Sequence, residues 1–167
     1  MYEPTKEPKK RAGGEPLREV SRKILVVEDS RDFSFLLSMI LRRAGHEIRT
    51  ADTGAKGVAL CVEMAPDIVF LDMQLPDMPG AEVARRISAQ SRAPVIVGLS
   101  GHSPRDIEKV LRSAGVRFCI QKPMGLSELS EVLNNAVKRA TLPEGCAKED
   151  GSGVSESGGG TRLGGRR

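Results

Sequence analysis

Residues 23–29, KILVVED, form a short apolar run that ends in two carboxylates, Glu28 and Asp29. Three further runs also end at polar residues: Asp72 after DIVFL, Ser100 after PVIVGL, and Lys122 after RFCIQ. Short runs rich in β-branched residues, separated by helical patterns, are typical of buried parallel strands. Because the carboxyl ends of parallel strands meet at one edge of the sheet, we expect these five polar side chains to lie together.

Helical patterns fill the segments between the runs. In the first such segment, apolar residues recur at helical spacing at Phe33, Leu36, Leu37, Ile40 and Leu41. Thr53 is a suitable N-cap for a second helix, and Ser103 with Pro104 for a fourth. Residues 46–51 alternate apolar and polar side chains, which predicts a less buried strand at the edge of the sheet.

Five strands alternating with five helices predict a doubly wound α/β domain. We expect a five-stranded parallel sheet of the flavodoxin-like type, with strand order 2-1-3-4-5. This order puts the alternating second strand at an edge. It also makes Asp29 and Asp72 face each other where the first and third strands lie side by side.

The two ends of the 167-residue chain differ from its middle in composition. Residues 1–22 are rich in Pro, Lys, Arg and Glu, and residues 141–167 are rich in Gly and Ser. Neither segment has enough apolar surface to offset the entropy lost on ordering. We therefore predict a folded core at residues 23–140 between two disordered tails.

The charge, hydropathy and cysteine patterns exclude several classes of protein. The net charge of +4 is not gathered into a basic stripe, so nucleic-acid binding is not expected. No segment approaches the roughly 20 apolar residues of a membrane span, so we expect a soluble, cytoplasmic protein. Cys61, Cys119 and Cys146 are odd in number and widely spaced, which argues against a disulfide framework. Cys61 and Cys119 are expected to be small buried hydrophobes.

The residues at the strand ends suggest a particular chemistry. Close packing of Glu28, Asp29 and Asp72 requires a cation, because like charges repel. A few hard oxygen ligands with room for water suit Mg²⁺. Lys122 can pair with Asp72 at rest and with a phosphoryl oxygen afterwards, and Ser100 can donate to another oxygen. Carboxylates serve as phosphoryl acceptors, so Asp72 is the candidate nucleophile.

The stretches VVEDS, FLDMQLPDMPG, GLSG and QKPM occur in the order and spacing of a known family. Residues 23–140 resemble a receiver domain of two-component response regulators. The resemblance implies that Asp72 is the phosphoacceptor, with Lys122 as the phosphate-pairing lysine and Ser100 as the switch hydroxyl. It implies Mg²⁺ bound directly by Asp29 and Asp72.

The same resemblance implies that Glu28 binds the Mg²⁺ through water and that Gln74 lends it a backbone carbonyl. It also implies a cis bond before Pro123. The phosphoryl donor is then a histidine kinase or histidine phosphotransfer protein, and the output leaves through an unidentified downstream protein. Nucleic acid and membrane are not expected partners.

The chain departs from the family at position 119, where an aromatic residue often reports phosphorylation. Cys119 stands there, and Phe118 is displaced by one residue. Neighbouring strand residues point to opposite faces, so Phe118 cannot substitute directly. Receivers attached to hybrid sensor kinases often lack this aromatic residue, which favours a relay or kinase-associated role.

Three alternative functions share either the chemistry or the fold expected here. An aspartyl-phosphate type phosphatase is disfavoured because its nucleophile follows the first strand, with a second Asp two residues later. Here Asp72 follows the third strand, and Gln74 stands two residues on. A flavin-binding protein is disfavoured by three carboxylates where a phosphate would lie. A receiver-like docking module that is never phosphorylated is disfavoured by the complete site. We therefore expect no activity as an enzyme beyond Mg-dependent self-phosphorylation and self-dephosphorylation.

Overall fold

Five strands and five helices alternate along the described part of the chain, as predicted. The computed structural model describes residues 21–101 and 104–141, with the backbone alone at residues 104–108. The strands are β1 (Lys23–Val27), β2 (Glu47–Ala51), β3 (Ile68–Asp72), β4 (Val95–Ser100) and β5 (Val116–Gln121). The helices are α1 (Arg31–Arg43), α2 (Gly54–Met64), α3 (Gly80–Ser88), α4 (Pro104–Ser113) and α5 (Leu126–Thr141).

The strands form one parallel sheet in the order β2-β1-β3-β4-β5, which confirms the predicted fold class and strand order. Val27 pairs with Leu71, and Asp72 pairs with Leu99. The ends of β1, β3 and β4 therefore lie level with one another. β1 and β3 are neighbours although β2 lies between them in sequence, so the topological switch point falls at their carboxyl ends.

The sheet is covered on both faces, because successive residues of a strand point to opposite sides. Ile24 and Val26 of β1 face a core shared with α1 and α5. Leu25 and Val27 face a second core shared with α2, α3 and α4. The central strands β3 and β4 are buried along their whole length, which explains their continuous apolar sequences.

A short polar residue begins α2, as the sequence predicts, and glycines follow the ends of α1 and α4. The hydroxyl of Thr53 accepts a hydrogen bond from the amide of Lys56 and caps α2. Gly45 and Gly115 follow α1 and α4 with a φ of 92°, a left-handed conformation that glycine adopts without strain. The connections that return the chain to β2 and β5 are therefore short.

The structure differs from the sequence prediction in several details. Leu36 is 49% exposed, whereas Leu37, one position on, is buried. Cys119 is only partly buried and packs against the second core, so its prediction as a buried hydrophobe was wrong in degree. Thr141, predicted to begin a tail, is the last residue of α5, and its hydroxyl accepts a hydrogen bond from the side chain of Arg22 at 2.6 Å.

Other predictions concern residues that the structure does not describe. The predicted cap Ser103, the cysteine Cys146 and the tails at residues 1–20 and 142–167 lie outside the described residues.

Cys61 is buried as predicted, and burial raises the pKa of its thiol to about 11. Within residues 21–101 and 104–141, no helix is long and apolar enough to span a membrane.

Candidate functional site

Three carboxylates meet at the carboxyl ends of β1 and β3. Glu28 and Asp29 follow β1 directly, and Asp72 is the last residue of β3. One carboxylate oxygen from each residue lies within 4.8 Å of the others. Glu28 is 2% exposed and Asp72 is 6% exposed, whereas Asp29 is exposed to solvent. The structure thus brings together the three acidic residues that the sequence places at this edge.

Lys122 supplies a positive charge to this cluster. Its ammonium donates to Oε2 of Glu28 at 2.6 Å and to Oδ2 of Asp72 at 2.8 Å. The peptide bond between Lys122 and Pro123 is cis, as the resemblance implies. One ammonium faces three carboxylates, so the site keeps an excess of negative charge that a divalent cation would neutralise.

Burial and neighbouring charges shift the pKa values of Glu28 and Lys122. Burial raises the pKa of Glu28 above its ordinary value, and the negative charge of Asp72 adds to this effect. The hydrogen bond from Lys122 opposes the shift of the Glu28 pKa without cancelling it. For Lys122, burial acts to lower the pKa, but the hydrogen bonds to Asp72 and Glu28 outweigh burial and raise it. The ammonium is therefore held in its charged form.

The loop after β3 is fixed to the site by backbone hydrogen bonds. The amide of Gln74 donates to Oδ1 of Asp72 at 2.9 Å. Gln74 also forms an isolated antiparallel bridge with Pro79. Together these contacts hold the backbone of Gln74, whose carbonyl the resemblance assigns to the metal, two residues from the Asp72 carboxylate.

Ser100 ends β4 and is 1% exposed. Its carbonyl accepts a hydrogen bond from the amide of Lys122 at 2.7 Å. Ser100 follows Leu99, the residue that pairs with Asp72 across the sheet. The structure therefore places the predicted hydroxyl residue at the same edge as Asp72 and Lys122.

Two residues of this region were missed in the sequence analysis. The ring of Phe33, on the first turn of α1, lies under the ammonium of Lys122, with 4.7 Å between Nζ and the ring centroid. The carboxylate of Asp77 accepts hydrogen bonds from the amides of Gly54 at 2.8 Å and Ala55 at 2.9 Å. These hydrogen bonds, that from Ala55 first, lower the pKa of Asp77. The position of Phe33 one turn after Asp29 was the available signal, whereas nothing local to Asp77 pointed to α2.

Fold and site together define a class of protein. A doubly wound sheet carries at its switch point an acidic pocket and a lysine bonded to two of the acids. Such a pocket is suited to bind a divalent cation beside a carboxylate that can act as a nucleophile. This arrangement is suited to accepting a phosphoryl group on a carboxylate beside a bound cation.

The sequence model of the response regulator receiver domain matches residues 24–134. The chain therefore belongs to the response regulator receiver family, and its acidic pocket is the one expected of a receiver in two-component signalling. This membership confirms the resemblance inferred from the sequence motifs.

The virulence sensor protein BvgS of Bordetella pertussis is 36% identical to the chain over 132 residues. The match covers 75% of the chain but 11% of BvgS, so the chain spans a small part of that relative's length.

Two solved structures share the fold. The chemotaxis protein CheY4 of Vibrio cholerae has a TM-score of 0.67 at 24% identity, covering 70% of this chain and 99% of CheY4. The receiver domain of the sensor histidine kinase PA1611 of Pseudomonas aeruginosa has a TM-score of 0.65 at 23% identity, covering 71% and 99% of the two chains. That structure holds a magnesium ion in its active site cleft.

Proposed function

We propose that Asp72 accepts a phosphoryl group from a phosphohistidine, on a histidine kinase or a histidine phosphotransfer protein, in a Mg²⁺-dependent reaction. The observation that carries this proposal is the ammonium of Lys122, hydrogen-bonded to both Glu28 and Asp72 beside a cluster of three carboxylates. A carboxylate that was only structural would not need two further acids within 4.8 Å.

The donor set of the pocket fits Mg²⁺. Carboxylate oxygens of Asp29 and Asp72 would bind it directly, Glu28 through water, and Gln74 through its backbone carbonyl. When bound, Mg²⁺ would neutralise charge on the phosphoryl oxygens during transfer. The magnesium ion of the PA1611 receiver supports this assignment by analogy.

The chain's own residues then carry the transfer. A carboxylate oxygen of Asp72 forms a bond to phosphorus as the bond from phosphorus to the histidine nitrogen breaks, and the imidazole keeps the electron pair. Lys122 is hydrogen-bonded to Asp72 before transfer and moves to a phosphoryl oxygen afterwards. The hydroxyl of Ser100 donates a hydrogen bond to another phosphoryl oxygen. Hydrolysis by water returns the carboxylate and releases phosphate.

Phosphorylation acts by changing a protein-binding surface. The contact from Ser100 to the phosphoryl group exists in one state only, so it shifts the balance between two conformations. The ends of β4 and β5 are joined by the hydrogen bond from Lys122 to Ser100, so this shift reaches α4, β5 and α5. We propose that a downstream protein binds this surface in one of the two conformations.

Incubation of the full chain with acetyl phosphate and Mg²⁺, followed by intact mass measurement, tests the proposal. The wild type should gain one phosphoryl group, and Asp72→Asn should gain none. Asp77→Asn, which removes an exposed carboxylate from the same loop, should still gain one. An adduct in both the wild type and Asp72→Asn, or in neither, contradicts the proposal. Sustained turnover of a small phosphate ester would instead favour the phosphatase alternative.

A further inference from the structure

The ammonium of Lys122 has three neighbours of two different kinds. Two are the carboxylates of Glu28 and Asp72, and the third is the ring of Phe33, whose centroid lies 4.7 Å from Nζ. This distance falls within the range of about 6 Å in which a ring attracts a cation. The side chain of Lys122 is 24% exposed, so this attraction is only partly screened by water.

The ring differs from the carboxylates in what happens to it during phosphoryl transfer. Asp72 gains a phosphoryl group, and a bound cation would partly neutralise the negative charges of Glu28 and Asp72. Phe33 carries no formal charge, binds no metal and cannot be phosphorylated. The ring can therefore still attract the ammonium when the hydrogen bond from Lys122 to Asp72 is lost during transfer.

The backbone fixes the ring independently of the lysine. The hydroxyl of Ser30 caps α1 by accepting from the amide of Phe33, and Phe33 packs against the core beneath α1 and α5. Lys122 follows β5, and its amide is bonded to Ser100. The ring and the ammonium thus approach each other from two elements that are separately anchored.

From these contacts we propose that Phe33 is a positioning residue for Lys122, keeping its ammonium within the site while the lysine exchanges Asp72 for a phosphoryl oxygen. The proposal rests on the proposed function of Asp72. It assigns to an apolar side chain of α1 a part in phosphoryl transfer in addition to its packing against the core.

Fluorinated phenylalanines at position 33 test the proposal, because they keep the shape of the ring and weaken its attraction for cations. With acetyl phosphate and Mg²⁺, the phosphorylation rate of Asp72 should fall with each added fluorine, by about 2- to 5-fold in all for a trifluorinated ring. Phe33→Leu should show a similar loss, and Phe33→Tyr, which keeps a ring of nearly the same shape, should lose less of the rate than Phe33→Leu. The same series at Phe118, which is partly buried against the same core, should leave the rate unchanged.

A flat response at position 33, or an equal response at positions 33 and 118, overturns the proposal. A second measurement does not depend on phosphorylation. In urea unfolding without Mg²⁺, Phe33→Leu should cost less stability in a Lys122→Gln background than in the wild type, and the upfield ring-current shift of the Lys122 ε-protons should disappear in Phe33→Leu. Additive losses of stability and an unchanged shift would show that the ring only packs.

The two proposals fail in different ways. If the wild type is not phosphorylated at Asp72, the proposed function fails and the positioning role fails with it, although the unfolding measurement still reports the contact. If the wild type is phosphorylated and the fluorine series is flat, only the role of Phe33 is wrong.

Discussion

Lys122 sets the charge balance of the site, since it is the ammonium bonded to two of the three clustered carboxylates. Without a metal ion, the third carboxylate, Asp29, adds repulsion that this lysine does not relieve. The site is therefore organised for binding a cation rather than for stability. Replacing single acids should separate these two properties.

Asp29→Asn should stabilise the metal-free protein and weaken Mg²⁺ binding. Removing one of three clustered negative charges should raise the melting temperature in EDTA by about 2–4 °C. The further rise on adding Mg²⁺, which reflects binding to the folded state, should be smaller than in the wild type. Thermal unfolding with and without Mg²⁺ measures both effects.

Asp32→Asn is the matched control, because Asp32 is also exposed and lies on the first turn of α1, outside the carboxylate cluster. It should keep the full rise with Mg²⁺. A full rise in Asp29→Asn as well would remove Asp29 from the metal site.

The raised pKa of Glu28 predicts a pH dependence of stability in the absence of metal. In the unfolded chain Glu28 ionises near its ordinary pKa of 4.5, whereas in the folded protein it keeps its proton to higher pH. The folded state therefore binds more protons in the window just above pH 4.5, so stability falls as the pH rises through that window.

Glu28→Gln removes this titration. The experiment compares the free energies of unfolding of Glu28→Gln and the wild type, measured in urea with EDTA. As the pH rises, the difference between them should increase from the ordinary pKa of Glu28 to its raised pKa, with the variant gaining relative to the wild type. Above the raised pKa the difference should be constant. Parallel pH curves for the two proteins would contradict the assignment. Mg²⁺ favours the ionised carboxylate, so it should reduce the fall in the wild type.

The close approach of α3 to the end of β3 fixes the loop that follows Asp72. A Cβ at Gly80, the first residue of α3, would overlap the backbone carbonyl oxygen of Asp72 and lie 2.6 Å from Cα of Met73. The amide of Gly80 also donates to the carbonyl of Met73 at 3.1 Å. A side chain there must displace the backbone that carries Asp72.

Gly80→Ala should therefore cost about 1–3 kcal/mol of stability and slow phosphorylation of Asp72. Urea unfolding and the rate of adduct formation with acetyl phosphate measure the two effects. Gly125→Ala is the control, because nothing lies within 4 Å of a Cβ there, and it should leave both quantities near the wild type. Wild-type behaviour of Gly80→Ala would show that the loop tolerates the displacement.

The sequence predicts the parts of the site that follow from strand ends. It does not predict contacts that depend on how two elements pack against each other. Strand ends are local features, so the meeting of Glu28, Asp29 and Asp72 follows once the runs are recognised as parallel strands. Spacing alone did not decide whether Leu36 or Leu37 faces the core, because both fit the helical pattern of α1.

The contacts of Phe33 with Lys122 and of Asp77 with α2 join residues distant in sequence. They depend on how α1 and the loop after β3 are packed, which no short pattern specifies. By contrast, the alternating pattern of residues 46–51 and the switch point between the first and third strands were enough to predict the sheet order, and the family resemblance implied the cis bond before Pro123.

The described residues, 21–101 and 104–141, contain two hydrophobic cores and the carboxylate cluster. The hydrogen bond from Arg22 to Thr141 joins the two ends of this segment. We therefore predict that a truncated chain of residues 21–141 unfolds at the same temperature as the full chain and is phosphorylated at the same rate.

A chain of residues 21–132 is the comparison, because it lacks Leu133 and Ala136, which are buried in the core under α5. It should lose at least about 1.5–3 kcal/mol of stability, the cost of removing one large buried side chain such as Leu133. A marked loss of stability or of phosphorylation in residues 21–141 would show that the tails contribute to the folded domain.

The hydrogen bond of 2.7 Å from the Lys122 amide to the Ser100 carbonyl couples the carboxyl ends of β4 and β5. A displacement of Ser100 would therefore also displace the main chain at the end of β5, whatever side chain stands at position 119. The small thiol of Cys119 offers no bulky group to swing between an inner and an outer pose. We therefore predict that phosphorylation of Asp72 is read from a displaced strand rather than from a rotating ring.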